Sequence, residues 1–410
     1  MAGELLSAAE AARLLGVKRP TLYAYVSRGL IRSRPWGEGR DRRYLRADIT
    51  QLKARRRRST GGSGAVSGAL HWGEPLLESS ITRIDPQGPV YRGRLALELA
   101  RDAVPFESVA ELLWTKALPA TRPVWDVAEL GVAPDAIASL LGRPTSPLSP
   151  LALLLPALAA ADPGRFDCAA SAVLHRARAL VPRMAAALAL PMAAARTEPA
   201  LRAGSVAAAV AMATRGSKDR DLVAAIDQTL VLLADHELNV SAFAARVAAS
   251  AGADLYGSLG AALAALSGPK HGGFVERIEA LVAEIGNPGR ARQVVHERAR
   301  RGEHVPGFGH PLYPHGDPRA SPVLALARDL GSRSPIVRIV LALIDAMREA
   351  RRPPPTIDTA LVALGAALGL PRAFGVALFA VGRTAGWVAH VLEQYEADFL
   401  IRPRALYREE

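Results

Sequence analysis

The chain has 410 residues, half of them apolar and 22% charged, which excludes wholesale disorder and leaves ample length for a large buried core. Aromatics are only 5%, with the apolar content carried by Ala, Leu and Val, so helix is favoured over sheet. The formal net charge is +12, and the single cysteine, Cys168, excludes an intrachain disulfide and any cysteine-based zinc or iron–sulfur cluster. A reducing, cytoplasmic setting fits that cysteine usage. Met1-Ala2-Gly3-Glu4 lacks the basic stretch and apolar run of a signal peptide, so none is expected.

The charge is unevenly placed. Residues 1–62 hold 15 Lys and Arg against 5 Asp and Glu, and the rest of the chain holds 36 against 34. Such a local excess suits a polyanion, nucleic acid above all, although a solvated basic tail would carry the same charge. The pattern of residues adds to this. Ser7 followed by Glu10 forms a capping box, and Ala8, Ala11, Ala12, Leu14 and Leu15 follow at helical spacing until Gly16 ends the helix. Pro20 suits the first turn of a second helix reaching Arg28, with Leu22 and Val26 inward and Arg19, Thr21, Tyr23, Tyr25 and Arg28 outward. Arg32 to Tyr44 reads as a two-stranded wing, and Asp48 is expected to cap a third helix ending in Arg55-Arg56-Arg57-Arg58. This segment resembles the winged helix-turn-helix heads of the MerR and excisionase type. The resemblance implies a duplex-DNA interface in which the second helix enters the major groove and the wing follows the phosphates. Its contacts would be Arg19, Thr21, Tyr23, Arg28, Arg40, Arg42 and Arg43. A helical hairpin used for protein contacts is the competing reading. The expected organisation is a head at 1–58 and a flexible linker at 59–74, where Ser59-Thr60-Gly61-Gly62-Ser63-Gly64 is small and polar.

From about residue 75 the sequence reads as many Ala/Leu-rich helices separated by Pro and Gly, with a few short strands near Ile81–Arg94. Ala360 to Gly382 comes nearest to a membrane span, but Pro371-Arg372 divides it into two helix lengths, so a buried hairpin and no membrane partner are expected. Three segments break the monotony: Asp235-His236-Glu237-Leu238-Asn239, Ser267-Gly268-Pro269-Lys270-His271-Gly272-Gly273, and Val305-Pro306-Gly307-Phe308-Gly309-His310 running into Asp317-Pro318-Arg319. Two of them set a histidine among glycines, which let backbone approach a ligand closely. None has compact metal-ligand spacing, so no metal is expected.

These segments resemble the citrate synthase family, whose signatures include a Gly-Pro-x-His-Gly-Gly turn, a Gly-[Phe/Tyr]-Gly-His segment leading to Asp-Pro-Arg, and an Asp-His-Glu helix. Val90-Tyr91-Arg92-Gly93, Glu111-Leu112-Leu113-Trp114, Gly382-Arg383-Thr384-Ala385-Gly386-Trp387 and Ile401-Arg402-Pro403-Arg404 extend the likeness over roughly residues 75–410. The resemblance implies a mainly α, two-domain helical fold, with a large domain at 75–273 and 370–410, a small domain at 274–369, and the active site in the cleft between them. His271 would sit at the hinge, and cleft closure would exclude water.

The implied activity is condensation of acetyl-CoA with oxaloacetate followed by hydrolysis of citryl-CoA, with acetyl-CoA as substrate and no cofactor. A thioester methyl is a weak carbon acid, so the reaction needs a poised base and donors for the growing oxyanions. The resemblance gives Asp358 as the base, His271 as donor to the thioester oxygen and His310 as donor to the oxaloacetate carbonyl. Arg319, Arg383 and Arg402, with His236, would bind the dicarboxylate. In the family the residue matching Arg402 reaches the partner's site, so a homodimer is implied. Pro311, Phe274-Val275-Glu276 and Thr359 depart from common family residues and bear on acyl-CoA choice. The alternatives are a 2-methylcitrate synthase using propionyl-CoA and a metabolite-sensing transcriptional regulator built on this domain.

Overall fold

The computed structural model describes residues 5–15, 17, 19–27, 31–35, 42–45, 48–49, 77–142, 146–405 and 407. The chain divides into two units, Met1–Glu78 with Arg404–Glu410, and Ser79–Pro403.

In the first unit, the helix Ala8–Leu15 begins as its sequence dictates. The Ser7 N–H donates to Glu10 Oε2 at 2.8 Å and the Glu10 N–H returns to Ser7 Oγ at 3.3 Å, the reciprocal capping box. A second helix spans Arg19–Ser27. Strands Leu5–Leu6, Ser33–Pro35 and Arg42–Leu45 form an antiparallel sheet with Arg42–Leu45 in the middle, pairing Leu6 with Tyr44 on one side and Ser33 with Tyr44 on the other. Ala11, Ala12, Leu15, Leu22, Ile31, Tyr44 and Ile49 close a small core between the helices and the sheet. Asp48 differs from expectation. It is itself helical, past the position of a cap, and its carboxylate takes the Arg32 N–H at 2.8 Å and two nitrogens of the Arg32 guanidinium at 3.0 and 2.8 Å, so it fastens the residue that enters the wing's first strand. The remainder of the expected third helix and the linker lie outside the described residues.

The second unit opens with a three-stranded antiparallel meander, Thr82–Asp85, Gly88–Tyr91 and Arg94–Leu95, and is otherwise helical. Its core is one contiguous apolar cluster built largely from Ala, Leu and Val. The helices Arg220–Leu233, Val240–Ser250 and Leu255–Leu266 follow in order, each opened by a side-chain cap from Asp219, Asn239 and Asp254 respectively. The helices Phe274–Ile285, Ala291–Arg300, Ala320–Leu330, Pro335–Glu349 and Ile357–Ala367 then pack among themselves.

The last helix, Phe374–Ala397, passes through the interior. By length and composition it and the stretch Ala170–Leu201 could cross a membrane, but 94% of its apolar window is buried within this fold. Its close approach to Ala234 and Asp235 depends on Gly386, whose N–H donates to the Ala234 carbonyl at 2.9 Å; an added Cβ would strike the Asp235 carboxylate. Residues 368–373 separate it from Ile357–Ala367, so Ala360 to Gly382 is the two-helix pair that Pro371-Arg372 announces.

Candidate active site

The His236 segment joins two helices and is pinned from below. Tyr91 is fully buried, and its hydroxyl lies 3.1 Å from the carbonyl oxygens of both Val231 and Asp235. Glu237 turns the chain in the left-handed region (φ 54°), and the Asn239 side chain accepts the N–H groups of Ser241 and Ala242 at 3.1 Å. His236 is thereby held in the interior, its Nε2 3.0 Å from the Tyr313 hydroxyl.

His271 follows the helix Leu255–Leu266 in a tight turn. Its own N–H and that of Gly273 both donate to the Gly268 carbonyl, at 3.0 and 3.2 Å, and Gly272 N–H returns to Leu266 at 2.9 Å. The ring stands edge-on to Phe379, with centroids 6.0 Å apart, and its Nε2 lies 3.0 Å from Ser241 Oγ. Ser241 Oγ also receives the Trp387 indole N–H at 3.1 Å and sits 2.7 Å from Asn239 Oδ1.

His310 and Asp358 are brought together by a clamp between two loops. Gly307 has φ +83°, and a Cβ there would collide with Thr359 Oγ1 and Ile278, so only glycine fits. Its carbonyl accepts the Thr356 N–H at 2.8 Å and the Thr359 hydroxyl at 2.7 Å, while Gly309 N–H donates to Pro354 at 2.9 Å. Thr359, one of the departures from the family pattern, is therefore part of this clamp. Asp358 occupies the first turn of Ile357–Ala367, and Thr356 Oγ1 donates to its Oδ2 at 3.1 Å. Asp317 takes Arg319 in a bidentate grip at 2.9 and 2.8 Å and also accepts the Ile357 N–H at 3.1 Å.

Arg383 projects from the long interior helix at 1% exposure. Its Nε donates to the Leu233 carbonyl at 2.8 Å and its Cζ lies 4.5 Å from the Phe379 ring centre. Its Nη2 is buried without a hydrogen-bond partner. Nearby, Asp235 Oδ1 and His390 Nε2 lie 3.4 Å apart without hydrogen-bond alignment.

The electrostatics follow from burial around two guanidinium groups. Burial, with the nearby charge of Arg383, lowers His271 to about 4. Burial and then the charges of Arg319 and Arg383 hold His236 well below the usual imidazole range, and burial with Arg319 lowers His310. Burial raises the Asp358 carboxyl, with Thr356 and Arg319 acting against it. Burial pulls Arg383 down to about 10. Burial also acts to lower Arg319, but Asp317 more than offsets it and the net shift is upward. The result is a set of neutral imidazoles, an aspartate side chain made more basic by burial, and two buried cations.

Six of the seven residues singled out by sequence thus converge: His236, His271, His310, Arg319, Asp358 and Arg383. Arg402 does not join them within one chain; it lies exposed on the segment after the last helix, with no hydrogen bond or ion pair to the cluster among the described residues. Tyr313, Ser241, Asp317 and Thr356 belong to the site and were not singled out. Asp317 stood in the quoted Asp-Pro-Arg motif and Ser241 in the segment after Asn239, whereas Tyr313 and Thr356 carried no signal of their own. In the head, Thr21 and Arg42 are exposed, Tyr23 is 51% exposed, and Arg43 is half-buried with Nη1 3.9 Å from Glu10. Arg19 lies in the second helix; its side chain, and Arg28 and Arg40 entirely, lie outside the described residues. Among the described residues no cluster of three or more His, Cys, Asp or Glu could hold a metal ion.

The family pattern described as "Citrate synthase, C-terminal domain" matches residues 68–404, and a helix-turn-helix domain pattern matches residues 5–57. The chain is 37% identical over 188 residues to citrate synthase 2 of Bacillus subtilis (strain 168), a match spanning 45% of this chain and only half the length of that relative. Citrate synthase of Haloferax volcanii is 32% identical over 366 residues, 84% of this chain and 96% of its own. A 2-methylcitrate synthase of Mycobacterium tuberculosis (strain H37Rv) is 31% identical over 349 residues, 80% of this chain and 87% of its own. Among solved structures, the ternary complex of carboxymethyl coenzyme A and oxaloacetate with citrate synthase from Thermoplasma acidophilum aligns with a TM-score of 0.73 at 26% identity, covering 82% of this chain and 94% of that one. With the family pattern spanning residues 68–404 and a relative 32% identical over 96% of its own length, the chain belongs to the citrate synthase family.

Proposed function

We propose that this protein condenses acetyl-CoA with oxaloacetate and hydrolyses the resulting citryl-CoA to citrate and CoA. One observation carries the reading: a buried guanidinium, Arg383, keeps Nη2 without a hydrogen-bond partner beside Arg319 and three neutral histidines. An unpaired buried cation is costly unless an anion completes it, and a dicarboxylate does so. The solved relative that binds oxaloacetate and a coenzyme A analogue supports the same substrates here.

The proton steps follow from the hydrogen bonds. Leu312 N–H donates to His310 Nδ1 at 3.2 Å, so the neutral ring carries its proton on Nε2 and offers that N–H to the oxaloacetate carbonyl as it becomes an alkoxide. Asn239 Oδ1 already accepts two backbone N–H groups, and Ser241 Oγ accepts the Trp387 N–H. The Ser241 hydroxyl donates to Asn239 Oδ1 at 2.7 Å and lies 3.0 Å from His271 Nε2; turned to Nε2 when substrate binds, it leaves His271 with an Nδ1–H for the thioester oxygen. Asp358, its basicity raised by burial, takes the methyl proton. The enolate carbon then attacks the oxaloacetate carbonyl carbon, and water later cleaves the thioester.

Arg402 completes the partner's dicarboxylate site in a homodimer, which accounts for its exposure in the single chain. The head binds duplex DNA through the exposed Thr21, Tyr23 and Arg42; the helix-turn-helix match and the local excess of positive charge support this. The deciding experiment measures release of free CoA by purified protein with oxaloacetate and either acetyl-CoA or propionyl-CoA. Faster turnover of acetyl-CoA is expected. A clear preference for propionyl-CoA would make the protein a 2-methylcitrate synthase, and no release from either would leave a ligand-sensing domain.

A further inference from the structure

Three residues after His310 the chain closes on itself. Tyr313 N–H donates to the His310 carbonyl at 2.9 Å and Gly316 N–H to the Tyr313 carbonyl at 3.0 Å. This turn delivers the Tyr313 side chain into the cluster at 2% exposure. The ring centre lies 5.1 Å from that of His310 and 5.5 Å from that of His236, with the Arg319 Cζ 5.9 Å away. The hydroxyl lies 3.0 Å from His236 Nε2. Burial pushes the phenol up to about 12, against the pull of Arg319, so it keeps its proton at neutral pH.

We propose that Tyr313 is a further substrate-binding residue, whose hydroxyl donates to the same carboxylate of the dicarboxylate substrate that His236 addresses. This rests on the reading of the site as one that binds oxaloacetate. A neutral His236 has a single N–H. With that proton on Nε2, the phenol oxygen accepts it in the free site, and the N–H turns to the anion when substrate binds. The phenol keeps its own O–H, not spent on His236, on a ring whose centre lies 5.9 Å from the Arg319 guanidinium carbon. In the opposite orientation the phenol spends its one proton on Nε2 and only positions His236, so the proposal requires the first orientation.

Tyr313→Phe tests this, because it keeps the ring contacts and removes only the hydroxyl. The KM for oxaloacetate is expected to rise about tenfold, the worth of one hydrogen bond to a charged group. The KM for acetyl-CoA should stay the same and kcat should change by less than about threefold, a split that a general packing defect would not produce. In thermal unfolding without any CoA compound, the variant should need about tenfold more oxaloacetate than the wild type for the same stabilisation. An unchanged oxaloacetate KM, with or without a loss in kcat, overturns the proposal. A wild type that oxaloacetate neither stabilises nor engages in turnover overturns the functional reading and this inference with it. A wild type that responds beside an identical Phe variant removes Tyr313 alone.

Discussion

Asp317 and Arg319 form a bidentate ion pair buried in the site, and the same carboxylate holds the N–H of Ile357, one residue before Asp358. One side chain thus fixes the dicarboxylate-binding cation relative to the helix that carries the base. Removing it leaves a guanidinium buried without its counter-charge. Asp317→Ala is expected to cost about 3–5 kcal/mol, the range for breaking a buried pair from one side. Urea unfolding of variant and wild type measures it; a loss below about 1 kcal/mol would show that the pair is solvated in the working protein.

The legible part of this molecule was its motifs. Glycine-framed histidines and the Asp-Pro-Arg run named His271, His310 and Arg319, because backbone constraints such as Gly307 show in the sequence, whereas His236, Asp358 and Arg383 came from the family resemblance. The capping box of Ser7 and Glu10 was legible for the same reason: it acts over three residues. What was not legible depends on contacts between distant segments. Ser241 reaches His271 across 30 residues and Trp387 reaches Ser241 across 146, and no local pattern encodes either. Asp48 misled for a related reason: its position suits a cap, but a guanidinium 16 residues away competes for its carboxylate.

Asp358→Asn preserves shape and removes the proton acceptor. Turnover is expected to fall by about 10²-fold or more, the usual share of general-base catalysis, with little change in the KM for oxaloacetate. Steady-state CoA release at saturating substrates checks it. Near-normal turnover would take Asp358 out of the base role.

Acid should destabilise the fold through its buried histidines. In the unfolded chain these titrate near 6.5, while His271 in the fold is lowered to about 4 by burial and Arg383, and His236 and His310 are lowered too. Between those values the unfolded state binds more protons, so the stabilisation is complete above about pH 6.5 and is lost as pH falls towards 4. Asp227, raised to about 7 by burial and Glu107, works in the opposite sense over the same window, as does Asp358. The histidine contribution is isolated by comparing wild type with His271→Gln. The variant should lose less stability from pH 7.5 to 5, the difference being on the order of 2 kcal/mol. Parallel losses in the two proteins would mean that His271 titrates normally in the fold.

The head gives the last prediction, and its geometry separates two neighbouring arginines. Arg42 is exposed on the central strand of the small sheet, whereas Arg43 is half-buried and faces Glu10 at 3.9 Å. If the head binds duplex DNA through phosphates, affinity falls steeply with salt, and each lost contact lowers the log–log slope by about 0.9. Arg42→Ala should therefore reduce the slope by close to one contact and weaken binding to all sequences alike. Arg43→Ala should reduce it by less, because Glu10 already offsets part of that charge. Tyr23→Ala, on the exposed face of the helix Arg19–Ser27, should instead alter preference between sequences, as expected of a side chain that reaches base edges. Binding of fluorescent duplexes to the full chain across a salt series measures all three. An absence of salt-dependent binding at low ionic strength would assign the head to protein contacts, and equal slopes for Arg42→Ala and wild type would remove the wing strand from the phosphate path.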